Sequence, residues 1–453
     1  MSVRPPGSRW YNAVWRWHFY AGLFCVPFVL WLAITGSIYA WRPQIEAWLD
    51  RPYDSLIPSA TRATPVAIAA AAMRAVPGSR LHKYELPQSA RSAVRVLVGT
   101  SAGDRRVYVD PYRLTVLSVV SEDQRPMQIV SHLHGELLAG AWGSYIVEIA
   151  ACWTLVMILT GLYLWWPRGR KGLAGVLYPR LSGGRRLFWR DLHAVTGIWA
   201  SLFALFVVTT GLPWAKAWGS YFKEIRTLAG ALDGPVDWTI GGRKAPDDPM
   251  LGEHAGHMGM AMVRQGARPG ELNRTVVAAT ALHFAPPVLL SPPGKEPHRW
   301  TVTSDAADRP LRAQAVIDGA TGAVLARKDF GERHWIDRAV GYGIATHEGQ
   351  LFGVANQLLI TLGALMLMTL SASGAISWWR RRPSGRLGAP LPLSRPRFGG
   401  ALIATIVALG IMMPLFGASL LMVILAENGL KRWRGVARWL GLRTARACLP
   451  GGA

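Results

Sequence analysis

The sequence predicts a mainly α integral membrane protein: tandem-duplicated two-helix halves forming a four-helix transmembrane bundle, a fifth C-terminal helix, and two small α+β modules outside the bilayer. Three observations predict it. About half of the 453 residues are apolar. Five apolar runs are long enough to cross a hydrocarbon core of about 30 Å. One plan of histidines, glycines and tryptophans occurs twice along the chain.

The order of elements follows from hydropathy. Residues 1–41 hold the N-terminus and first span, 42–144 the first module, 145–166 the second span and 167–194 a basic connector. The third span covers 195–214, the second module 215–349, the fourth span 350–379, a second basic connector 380–399, the fifth span 400–426 and a basic tail 427–453. Most spans end in Trp, the residue that anchors helices at the membrane interface. The first span is expected to be an uncleaved anchor.

The formal charge of +23 excludes less than it suggests, because its distribution does not fit nucleic-acid binding. Arg168, Arg170, Lys171, Arg180, Arg185, Arg186 and Arg190 crowd one short connector; Arg380, Arg381, Arg382, Arg386, Arg395 and Arg397 crowd the other. The two long segments are nearly balanced. By the positive-inside rule the connectors and the N-terminus are cytoplasmic, and the modules lie outside, in the periplasm of a bacterial inner membrane. One feature conflicts. Lys431, Arg432, Arg434, Arg438, Arg443 and Arg446 follow the fifth span and would fall outside. Either the tail is a basic helix on the outer leaflet or the Pro414-containing segment does not fully cross; a full crossing is the expectation.

The repeat singles out four histidines. His18 is followed 18 residues later by Gly36, and His193 by Gly211 at the same offset. His134 leads to Gly161 and to Trp165-Trp166, while His347 leads to Gly374 and Trp378-Trp379 with identical spacing. Between the paired spans each half carries strand, turn and strand: Arg106 to Leu117 around an Asp-Pro pair, and Ala315 to Leu325 around an Asp-Gly pair. Short Ala-rich helices at 66–75 and 276–281 precede strands.

His18 and His193 follow basic residues, whereas His134 and His347 precede their spans from the other side. The histidines therefore form two levels, roughly 30 Å apart within a half at 1.5 Å per helical residue. Duplicated halves related by an axis along the membrane normal bring equivalent residues face to face. His18 is then expected to face His193, and His134 to face His347.

Two facing imidazoles suit the axial positions of a low-spin haem, an electron-transfer centre. Two haems b per chain are the expectation, His18 and His193 holding one, His134 and His347 the other. Gly22 and Gly197 follow their histidines by four residues, on the same helix face, where a side chain would block a porphyrin; helix packing through small residues is the other explanation. His132 is the rival to His134, but the matching position in the second half is Ala345. Cys25, Cys152 and Cys448 are too scattered for an iron–sulfur cluster, a disulfide framework or a covalent haem.

The plan His18-x-x-x-Gly, Thr35-Gly36, His134-Gly-Glu, Trp165-Trp166-Pro, His193, Thr210-Gly211, His347-Glu-Gly and Trp378-Trp379 resembles PepSY-associated transmembrane proteins over about residues 10–382. The resemblance implies that the modules are periplasmic and PepSY-like. In the siderophore-reductase branch it implies two haems b that deliver electrons to a ferric-siderophore, releasing ferrous iron. No G-x-G-x-x-G opens a helix after a strand, so the donor is expected to be a quinol or a separate reductase.

His18 and His134 are 116 residues apart, His193 and His347 154. The extra length holds His254, His257, Met258, Met260 and Met262, an imidazole and thioether mixture suited to copper, which raises a cupric substrate and a periplasmic metal site; a flexible loop is the bland reading. Glu148, inside the second span, invites proton coupling or quinol contact, or else a hydrogen bond between helices. Two other classes stay open: a non-redox protein whose modules bind peptides or restrain a protease, and a metal or chelator transporter.

Overall fold

A computed structural model describes residues 7–59, 61–167, 172–182, 184–229, 270–294, 296–393 and 399–442. The element order runs through a similar course twice. The first half comprises α1 (Gly7–Ala40), α2 (Arg42–Asp50), α3 (Pro65–Ala75), β1 (Arg80–Glu85), β2 (Val94–Thr100), β3 (Gly103–Val109), β4 (Val116–Ser121), α4 (Pro126–Glu136) and α5 (Gly140–Trp165). The second comprises α6 (Gly184–Gly211), α7 (Lys216–Leu228), α8 (Glu271–Ala281), β5 (Val288–Ser291), β6 (Arg299–Ser304), β7 (Ala313–Asp318), β8 (Val324–Asp329), α9 (Trp335–His347) and α10 (Val354–Arg381). Then come α11 (Gly400–Met412), α12 (Pro414–Leu430) and α13 (Arg434–Leu440).

Among the described residues four helices are long and apolar enough to span a membrane: α1, α5, α6 with the 3-10 turn to Trp214, and α10. They pack in a closed ring, α1 against α5, α5 against α6, α6 against α10 and α10 against α1. The protein is an integral membrane protein. One end of the bundle carries the described connector arginines, Arg185 and Arg380 among them, and the other carries the sheet.

The two modules differ from the expectation of two separate units. Their eight strands form one antiparallel sheet in the order β4-β3-β2-β1-β5-β6-β7-β8. The halves are joined where β1 pairs with β5, Tyr84 opposite Leu290 and Glu85 opposite Leu289. Helices α3 and α8 cover one face together, so Ile68, Ala72, Val96, Leu272, Leu290, Trp300 and Ile317 share one core. Burial alternates along β6 and β7, as a sheet with one covered face requires. The five residues Val94–Val98 are buried without alternation. On the second face Arg95 bridges Asp50 at 3.1 Å and Asp54 at 2.7 Å, which fastens α2 to the sheet.

The fifth apolar run is not one crossing helix, which corrects the sequence expectation. It breaks at Met413 (φ −127°, ψ 83°) into α11 and α12. A Cβ built on Gly417 would lie 3.0 Å from the Gly410 carbonyl oxygen and 3.2 Å from its Cα. In a continuous helix seven residues span about 10 Å, so the chain reverses here and the two glycines form the crossing point of a helical hairpin. Proline 414 starts the returning helix, where its missing N–H costs nothing. The turn is buried against Cys152 and Leu212 through Met413 and Phe416. The tail comes back to the arginine end: Trp439 O accepts from Leu387 N–H at 2.9 Å, and Gly441 O accepts from the Arg16 guanidinium at 2.9 Å. The hairpin brings the described basic residues Lys431, Arg432, Arg434 and Arg438 back toward the end of the bundle that holds Arg16 and Leu387.

Candidate cofactor site: two facing histidine pairs

His18 lies on α1 and His193 on α6, helices that occupy opposite corners of the ring. Their ring centres are 6.3 Å apart, with planes at 72°. His134 stands near the end of α4 and His347 at the end of α9, with ring centres 6.4 Å apart and planes at 81°. The cross-half pairing is therefore present at both levels. Gly36, beside His134, follows His18 by 18 residues on α1, which sets the levels about 27 Å apart.

Each ring is fixed by its Nδ1. His18 Nδ1 is 3.0 Å from Thr160 Oγ1, His134 Nδ1 3.0 Å from Thr35 Oγ1, and His347 Nδ1 3.0 Å from Thr210 Oγ1. Each threonine already donates its proton to a carbonyl one helical turn back: Thr160 to Val156, Thr35 to Trp31, Thr210 to Phe206. The hydroxyl oxygens must then accept, and the imidazoles must carry the proton on Nδ1. His193 reaches the same tautomer by donating from Nδ1 to Leu370 O at 3.0 Å. All four Nε2 atoms consequently keep a lone pair, the form that ligates a metal. Enclosure pushes His134 and His347 down to about 4, so both are neutral at ordinary pH.

A second set of residues gives the rings room. A Cβ on Gly36 would sit 2.9 Å from His134 Cε1, on Gly161 3.1 Å from His18 Cε1, on Gly374 3.1 Å from His193 Cε1, and on Gly211 3.4 Å from His347 Cε1. Each imidazole thus lies against a glycine of a neighbouring helix. In three cases the preceding residue is the threonine that holds the ring, and in the fourth it is Ser373, whose hydroxyl also donates to Leu370 O. In the three threonine cases hydroxyl residue plus glycine is one unit: the first sets the tautomer and the second admits the ring.

The ring-centre separations of 6.3 and 6.4 Å match what two imidazoles sharing one metal would need. With a metal–nitrogen bond of about 2.0–2.1 Å and about 1.1 Å from nitrogen to ring centre, the centres lie roughly 6.3 Å apart. Two such nitrogen donors would suit a metal macrocycle that leaves two positions for protein ligands.

The other sequence-derived candidates fall elsewhere. Gly22 lies against Met157, with a Cβ contact of 3.1 Å, and Gly197 against Leu370 at 3.5 Å; each lets its own helix close on its neighbour. His132 pairs with Glu136 at 3.4 Å, whereas His134 is the residue whose ring faces His347. His254, His257, Met258 and Met260 lie outside the described residues. Glu148 accepts from the main-chain N–H of Ala217 at 2.9 Å and of Trp218 at 3.1 Å, so it joins two helices by hydrogen bonds. Sequence reasoning missed the role of Thr35, Thr160 and Thr210, although a hydroxyl residue before each ring-facing glycine was there to be seen.

No curated protein matches the chain. The sequence pattern described as the PepSY-associated TM region matches residues 15–381, a stretch that takes in all four histidines, their glycines and the whole sheet. The chain belongs to this family.

Proposed function

We propose that the chain is a di-haem b membrane oxidoreductase of the bacterial inner membrane, passing electrons across the bilayer to a periplasmic ferric-siderophore or related metal complex. The observation that supports this reading is the double histidine pair, with ring centres 6.3 and 6.4 Å apart and a free Nε2 on every ring. Two further elements belong to the same reading: the halves are a tandem duplication, and the strands with α3 and α8 are PepSY-like modules.

When bound, haem supplies an iron that takes up and gives back one electron at a time. The residues of the chain orient and insulate it. His18 with His193 would hold one haem, and His134 with His347 the other. Thr160, Thr35, Thr210 and the Leu370 carbonyl hold the rings so that their Nε2 atoms stay available. Gly161, Gly36, Gly211 and Gly374 keep side chains away from the ligand rings. The apolar helices around them exclude water.

Overall, ferric iron in the complex gains one electron and becomes ferrous, which chelators hold weakly. A quinol or a separate reductase is the donor and loses that electron at the arginine end. The positive-inside rule puts this end in the cytoplasm, and the hairpin adds Lys431, Arg432, Arg434 and Arg438 to it. The test uses haem-loaded protein in liposomes with dithionite inside and a ferric chelate with a ferrous indicator outside. Ferrous colour should develop outside with the protein and fail with His193→Ala; equal rates with and without protein would refute the proposal.

A further inference from the structure

Glu148 is only 2 % exposed, and both of its oxygens are spent on the first turn of a helix from the other half of the chain. That helix, α7, starts after Ala215, which offers no capping side chain. A carboxylate at this position meets the unpaired N–H groups and the positive end of the helix dipole. The contact is closed over by the hairpin, since the Trp218 indole donates to Met412 O at 3.1 Å.

From this fixed start α7 runs to Arg226, a buried guanidinium that forks Asp337 at 2.8 and 3.1 Å. Asp337 lies in the first turn of α9, and the last residue of α9 is His347. Trp214, Phe222, Val340 and Ile344 fill the space between the two helices. The arrangement is one-sided. At the equivalent place in the other half Thr361 accepts from the Trp41 indole at 3.0 Å, and α4 is tied to α2 by Arg125 and Glu46 at 3.5 Å.

We infer that Glu148 is a positioning residue of the His134–His347 pair, acting through α7, Arg226 and Asp337 to hold the His347 ring at its angle to His134. The inference rests on the di-haem reading. It assigns Glu148 a structural task, because both of its oxygens are already engaged by main-chain N–H donors of α7.

The experiment compares wild type with Glu148→Gln and Arg226→Lys by low-spin ferric EPR, with potentiometric titration of each haem band at several pH values. An amide presents one acceptor to two donors, and lysine keeps the charge of Arg226 but loses the fork. Both variants should shift the signal and potential that His347→Ala removes and leave those that His193→Ala removes untouched. Unchanged signals in both variants would overturn the inference while the di-haem reading stands. So would an unchanged spectrum with a lost pH dependence of potential in Glu148→Gln, the mark of a proton carrier. A wild type with no low-spin haem signal would instead defeat the reading on which the inference rests.

Discussion

At the level of single residues, glycines make the room that the four imidazoles occupy. The distance from the would-be Cβ orders the glycines: Gly36 is tighter against His134, at 2.9 Å, than Gly211 against His347, at 3.4 Å. Gly36→Ala should therefore cost more haem than Gly211→Ala, measured as haem per polypeptide after purification; equal losses would contradict the ordering. Thr210→Val keeps the shape and removes the acceptor of His347 Nδ1–H. An unsatisfied buried donor costs about 1–3 kcal/mol, so the haem-free variant should melt earlier than wild type, while Thr209→Val, which removes an exposed hydroxyl that bonds only its own helix, should change little. Much of this scale was legible. Identical spacing in both halves picked out His18, His134, His193 and His347 without any coordinates. The threonines were not assigned because each meets its histidine across 99 to 142 residues of chain, and only the packed bundle shows which ring faces which hydroxyl.

At the scale of elements, two junctions carry the argument. Between α4 and α5 the backbone turns through Leu137 (φ 51°), Leu138 (φ 57°) and Gly140 (φ 56°). A Cβ on Gly143 would then fall 1.6 Å from the Glu136 carbonyl oxygen. Gly143→Ala must open this junction and move His134, with a cost of at least about 1–3 kcal/mol, the usual range for overpacking. Gly135→Ala is the control, since nothing stands within 4 Å of its added methyl; thermal unfolding of the two variants side by side checks the difference, and equal stability would contradict the junction. The hairpin of α11 and α12 is the second junction. It was not legible from hydropathy, which sees one apolar run long enough to cross and cannot tell a Pro kink from a reversal. The misplaced basic tail was the signal, and the Gly410–Gly417 contact is its physical explanation.

At the scale of the molecule, the hairpin and the shared sheet make a two-ended object. Arg386 and Gly435 should lie on the same side of the membrane. In a Cys448→Ser background, Arg386→Cys and Gly435→Cys should react with an impermeant thiol reagent from one common face of oriented vesicles; labelling from opposite faces would restore a fifth crossing. The single sheet makes its own prediction. Leu290 is fully buried where β5 meets β1, and Leu290→Ala should cost about 2–5 kcal/mol. Because the two helices and six of the eight strands share one core, amide protection should fall together in β2–β3 and β6–β7, as measured by hydrogen exchange; loss confined to β5–β8 would mean two independent modules. Each module was legible as helix and strands, but their union was not, since the β1–β5 pairing joins segments about 200 residues apart and leaves no local periodicity.

We propose that two histidine pairs hold two haems, one at each end of the bundle. The most direct test is the dithionite-reduced minus oxidised spectrum of the detergent-purified protein, with a pyridine-haemochrome count, for wild type, His193→Ala and His347→Ala. Two haems b per chain in wild type, with one lost or perturbed in each variant, is the result expected. Absence of haem after haem-supplemented expression, or variants that retain the wild-type spectrum, would contradict it.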